Sequence, residues 1–191
     1  DYIKSTGCDA VEIGAGGYPG NAHCDPAALL KDDRALAAFK NEFTSRQLEI
    51  SALSCHGNPL HPDKAISEAH DRDFRNTVQL AEKLGVPNVI TFSGCPGDSE
   101  TSQKPNWVTC PWPTDYLDIL EWQWEKVAQP YWSEAASFAG KHNVRVAIEL
   151  HPGFIAYHTE SFWRLREIGG NAIGVNFDPS HLFWQGMDPL V

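Results

Sequence analysis

What most constrains this chain is a repeated alternation: a short apolar run, a turn-rich exit, then a longer segment with apolar residues at helical spacing. Ala10-Val11-Glu12-Ile13-Gly14 is the first such run, and a Gly/Pro-rich loop follows from Gly16 to Pro26. The spacing of Leu36, Phe39 and Phe43 predicts a helix over Asp32 to Arg46. Leu48 to Cys55 is the second run, and it opens into His56-Gly57-Asn58-Pro59-Leu60-His61-Pro62. Asp63 is placed to cap a helix that runs to Leu84 and stops at Gly85. Asn88 to Phe92 is the third run, with a long loop from Ser93 to Pro113 behind it. The helical region from Thr114 to His142 contains Pro130, where a break or kink is expected. Val144 to Leu150 and Ile173 to Phe177 complete the set. Between them lies a short helix from Thr159 to Ile168, stopped by Gly169-Gly170.

Strand followed by helix, repeated without a domain linker, predicts one α/β domain with a parallel sheet and right-handed crossovers. Two architectures satisfy that pattern: an open doubly wound sheet and a (β/α)8 barrel. The Gly16-Gly17 loop lacks the GxGxxG spacing of a dinucleotide-binding sheet. About five strands cannot close a barrel that normally takes roughly 250 residues, so the barrel reading makes these 191 residues part of a larger barrel. The opening Asp1 to Gly7 reads as the end of a helix, and no initiator Met precedes it, which points the same way.

Charge and cysteine usage narrow the function classes. A formal net charge of −10 repels a phosphate backbone, so nucleic acid is not an expected partner. The five cysteines, Cys8, Cys24, Cys55, Cys95 and Cys110, form no CxxC pair. Scattered thiols suit a reducing compartment, and no apolar run reaches membrane-spanning length, so a cytoplasmic location without membrane attachment is expected. A homo-oligomer remains open.

The chemistry concentrates at two strand ends. In Val146-Ala147-Ile148-Glu149-Leu150-His151-Pro152-Gly153 the period of two puts Ala147, Glu149 and His151 on one face. Glu149 then projects at the carboxyl end of its strand, where α/β proteins place their sites. Asn176 and Asp178 share a face of the last strand, and His181 follows close behind. Two carboxylates facing each other from neighbouring strands need a cation or a shared proton between them, because like charges a few ångström apart destabilise each other. A divalent metal on Glu149 and Asp178 is therefore expected, with His151 and His181 close by. A strand-end Asp followed by Pro is equally suited to cap a helix, and Asp178-Pro179 fits that role too. His56 and His61 flank the exit of the second strand, as substrate donors or as loop histidines bonded to backbone. Trp112 is a candidate roof for the pocket or a rim aromatic. Glu12, inside a strand, is expected to be a buried structural carboxylate. No partner is legible for His23, His70, His142 or His158.

These residues resemble the xylose isomerase-like TIM-barrel superfamily, the sugar phosphate isomerases/epimerases. Gly7 to Ile13 looks like the family's second barrel strand, Ile50 to Pro62 like the third and Asn88 to Gly94 like the fourth. Val144 to Gly153 resembles the fifth and Ile173 to His181 the sixth. The resemblance implies a partial barrel of strands two to six, lacking strand one and strands seven and eight. It implies a mononuclear site with Glu149 and Asp178 as two of its ligands, the others lying beyond Val191. Mn²⁺, Mg²⁺ or Co²⁺ would suit so carboxylate-rich a site, and Zn²⁺ would serve as well. Glu149 would be both ligand and proton-transfer group, His181 would bond a substrate oxygen, and His56, His151 and Trp112 would contact the sugar. The implied reaction is isomerisation or epimerisation of a sugar or sugar phosphate by proton abstraction beside a carbonyl, and these residues alone are expected to be inactive. A lyase or deglycosidase acting on oxidised sugars begins with the same step. An apurinic endonuclease-like hydrolase would want further strand-end histidines, and Thr91-Phe92-Ser93-Gly94 supplies none. A catalytically silent sugar-binding member is the remaining rival.

Overall fold

A computed structural model describes residues 1–190. A four-residue helix, α1 (Tyr2–Ser5), leads into strand β1 (Ala10–Gly14), and α2 (Pro26–Leu29) and α3 (Asp33–Thr44) follow it. Strand β2 (Glu49–Ser54) precedes the long α4 (Lys64–Leu84), and β3 (Asn88–Thr91) leads through a long loop to α5 (Thr114–Trp122). A π-helical segment (Gln123–Ala128) runs directly into α6 (Gln129–Lys141). Then come β4 (Arg145–Glu149), α7 (Thr159–Gly169), a single 3-10 turn (Gly170–Ala172), β5 (Ile173–Asn176) and α8 (Pro179–Trp184).

The local reasons are visible in the caps. Asp63 accepts from the Ala65 N–H at 2.9 Å to start α4, and Gly85 ends that helix at φ 76°. Asp32 accepts from the Arg34 and Ala35 amides to start α3. Pro follows the capping Asp in both α2 and α8, where the missing N–H costs nothing. Pro130 behaves differently from expectation. The helix does not break there; it widens into the π-helical segment just ahead, and Pro130 falls in the first turn of α6.

All five strands are parallel, and their order is the order of the chain, β1-β2-β3-β4-β5. This is one sheet with flanking helices, as in part of a TIM barrel. Alternate residues face the helices: Leu53, Val89, Val146, Ile148 and Ile173 join one buried cluster with Val78 and Ala81 of α4, Trp132, Ala135 and Ala139 of α6, and Leu165 of α7. The other face of the sheet carries no helix among the described residues. Register places Ser54, Ile90, Ala147 and Gly174 side by side on it, and continuing the alternation makes His56, Phe92, Glu149 and Asn176 the next row toward the carboxyl ends.

Glu12 corrects the expectation of a buried carboxylate: it is exposed. It pairs with Ala52 on the helix-free face, and β1 is an edge strand with no fully buried residue. β1 has a neighbouring strand on one side only, which leaves its side chains more open to solvent.

Candidate active site

Glu149 is the hub. Its Oε2 accepts two hydrogen bonds, from Nε2 of His56 at 3.0 Å and from Nδ2 of Asn176 at 2.9 Å. Its Oε1 accepts one, from Nε2 of His181 at 3.1 Å. The side chain is 14 % exposed, so these bonds are made in a largely desolvated place. The His56 hydrogen bond is the chief reason the carboxyl is held down at about 2; burial opposes it, and the charge of His56 and the bonds from His181 and Asn176 assist. A carboxylate can only accept, so His56 and His181 each present an Nε2–H to it.

Asp178 stands one strand over and is less enclosed, its side chain 40 % exposed. Oδ1 accepts from the Ser180 N–H at 2.9 Å and starts α8, so it does cap a helix. Oδ2 lies 3.4 Å from Nε2 of His181. Its carboxyl is lowered by the bonds from Ser180 first and by His181 further down, against the opposing charge of Glu149. One ligand atom each from Glu149, Asp178 and His181 lie within 4.8 Å of one another. Two carboxylates at that spacing offer oxygens that a divalent ion fits, and the His181 Nε2–H between them moderates the repulsion between the two acids.

His151 leans over the same place. Its Nδ1–H donates to the Pro152 carbonyl at 2.6 Å, which leaves Nε2 with a lone pair. Its ring is 4.3 Å from that of His181. Phe92 underlies the group, with ring centroids 4.5 Å from His56, 4.8 Å from His151 and 4.3 Å from Phe154, which stacks on it.

The structure therefore brings His56, Glu149, His151, Asp178 and His181 together. Trp112 is not among them. It is 74 % exposed and lines a surface cavity of about 330 Å³ with Trp107, Cys110 and Tyr116. His61 turns to its own loop, accepting from the Asp63 N–H.

Asn176 and Phe92 escaped the sequence reading as site residues. Alternation places each on the inner face beside Glu149, once the strand register is known. Three histidines without a legible partner have local or helix-to-helix ones: His70 accepts from the Asn58 N–H, His142 meets Glu82, and His158 caps α7. The cysteines are free; burial pushes Cys24 up to about 11, and Cys55 and Cys95 up to about 12.

A sequence family described as "Xylose isomerase-like TIM barrel" matches residues 1–191. The chain belongs to this family. Over its full length it is 35% identical to an uncharacterized protein, YfiH, of Bacillus subtilis (strain 168), and it spans 62% of that relative. Among solved structures, an L-ribulose 3-epimerase superposes with a TM-score of 0.62 at 17% identity, over 97% of this chain and 55% of the other. The IolI protein with a binding zinc atom gives 0.64 at 18% identity, over 97% and 58%. At those identities the xylose isomerase-like barrel is what is shared, and this chain covers a little over half of it.

Proposed function

We propose that this chain carries barrel strands two to six of a divalent-metal-dependent sugar isomerase or epimerase, working on a small carbohydrate. The observation that carries the reading is the convergence of Glu149, Asp178 and His181 at the carboxyl ends of adjacent strands. Family membership supports the reaction class, and the epimerase and zinc-binding neighbours support the ligand and the metal.

Glu149 and Asp178 would hold the ion, Mn²⁺, Mg²⁺ or Co²⁺ by their chemistry, with Zn²⁺ also served. Such an ion supplies Lewis acidity toward adjacent carbonyl and hydroxyl oxygens of a sugar. The rest falls to the side chains. Glu149 is ionised throughout the neutral range and can take a carbon-bound proton beside the carbonyl. His151 presents an Nε2 lone pair that can accept from a substrate hydroxyl, His181 can turn its Nε2–H from Glu149 to a substrate oxygen, and the Phe92–Phe154 stack offers an apolar surface beside them. The activity resides in a cytoplasmic protein on this reading, with a homo-oligomer compatible with it.

The test is proton exchange. The full-length protein that carries these residues, loaded with Mn²⁺, is incubated with a panel of aldoses and ketoses in D₂O, and deuterium at the carbon beside the carbonyl is followed by NMR. Exchange with interconversion of epimers or isomers supports the proposal. Loss of water or of an aglycone in place of interconversion assigns the elimination chemistry instead, and metal binding with neither exchange nor elimination on any sugar assigns a binding role.

A further inference from the structure

The three hydrogen bonds on Glu149 are unequally divided. Oε2 takes both His56 and Asn176, while Oε1 takes His181 alone. Oε1 is also the oxygen on the Asp178 side, since the His181 nitrogen it meets lies 3.4 Å from Asp178 Oδ2. One face of the carboxylate is thus saturated and the other still has capacity.

Both donors on Oε2 are themselves held. Asn176 is the residue paired with Glu149 in the β4–β5 ladder, so its amide leaves the strand beside the carboxylate. His56 is fixed in three ways. Its ring packs 4.5 Å from Phe92, its carbonyl accepts from the Tyr18 N–H at 2.7 Å, and the loop after β1 crosses it so closely that a Cβ on Gly17 would collide with that carbonyl. Gly17 adopts φ +69°, and its N–H donates to Asp73 of α4, so the loop is anchored.

We propose that His56 and Asn176 are positioning residues that clamp Oε2 of Glu149, so that Oε1 alone is offered to the cation. The metal-dependent reading supplies only what Oε1 is offered to; the clamp is a property of the chain. It assigns His56 to Glu149 rather than to the sugar, and it gives Asn176 a role. A carboxylate with one oxygen tied back binds through the other, which keeps a lone pair directed at a single point instead of closing on the ion with both oxygens.

The probe is Co²⁺ added to the full-length protein and its variants; its visible absorption reports coordination number, read together with crystal structures of the metal-free variants. Asn176→Leu and His56→Leu are expected to weaken Co²⁺ binding by about 10- to 100-fold and to change the spectrum, as the released carboxylate takes the ion through both oxygens. His56→Gln, whose amide nitrogen can reach the same oxygen, is expected to retain the wild-type spectrum. In metal-free crystals the Glu149 carboxylate is expected to rotate in the Asn176→Leu, His56→Leu pair and to stay in place in His56→Gln. A carboxylate unmoved in the double variant overturns the clamp, whatever Co²⁺ does. A carboxylate that moves, in a protein whose wild type takes up no Co²⁺, upholds the clamp and sinks the metal-dependent reading.

Discussion

Within these residues the interior strands and the two end strands of the sheet differ in burial. In β3 every residue but the first is buried, and β4 alternates buried residues with partly open ones. In β1 nothing is fully buried, and in β5 Val175 is 41 % exposed, with Phe177, Phe183 and Trp184 beyond it more exposed still. The candidate site straddles that boundary. Glu149 ends an interior strand and is held by three donors, whereas Asp178 follows an edge strand and is held by the first turn of a short helix. The interior half is rigidly prepared; the edge half takes its order from a six-residue helix at the rim.

The comparison is broken most forcefully at the centre. Trp132 is wholly buried and its indole N–H donates to the Ser93 carbonyl, so Trp132→Ala is expected to cost about 3–5 kcal/mol in urea unfolding. A loss comparable to that of an edge position would show that the interior does not carry the fold. Next comes Glu149→Gln, which removes a proposed ligand while keeping its shape. Divalent-metal affinity by titration calorimetry is expected to fall more than about 100-fold, beyond the 10- to 100-fold typical of a ligand's hydrogen-bond partners. Asp178→Asn keeps an oxygen to cap α8, so the thermal midpoint is expected to stay nearly unchanged while metal affinity falls.

Acid sharpens the contrast further. Glu149 is held at about 2 in the fold against an ordinary value of 4.5, so its contribution to stability is complete above pH 4.5 and disappears as pH falls toward 2. One such group adds a slope of at most about 1.4 kcal/mol per pH unit across that window. Urea midpoints between pH 6 and pH 2.5 should show the slope in the wild type and less of it in Glu149→Gln. The smallest effect belongs to the rim: Trp112→Ala, at a 74 % exposed position, is expected to leave stability within about 0.5 kcal/mol and metal affinity unchanged.

How much of this was legible in sequence follows the same division. Strand and helix alternation, the Asp63 and Gly85 signals, and the shared face of Ala147, Glu149 and His151 are local patterns, and periodicity reads them directly. The meeting of Glu149 with Asp178 required only that their strands be neighbours, which the crossover rule supplies. Glu12 could not be placed, because its exposure depends on β1 lying at an end of the sheet. Nor could the partner of His56, which reaches across β3 to β4. The π-helical segment before Pro130 is a backbone compromise that proline's presence announces but does not specify.

Because strand order follows chain order, each β-strand made during synthesis finds its pairing partner already in the chain behind it. His56 and Phe92 precede Glu149, while Asn176, Asp178 and His181 come after it. The acid's His56 bond thus rests on chain already behind it and does not require the second carboxylate, which arrives with the last strand pairing.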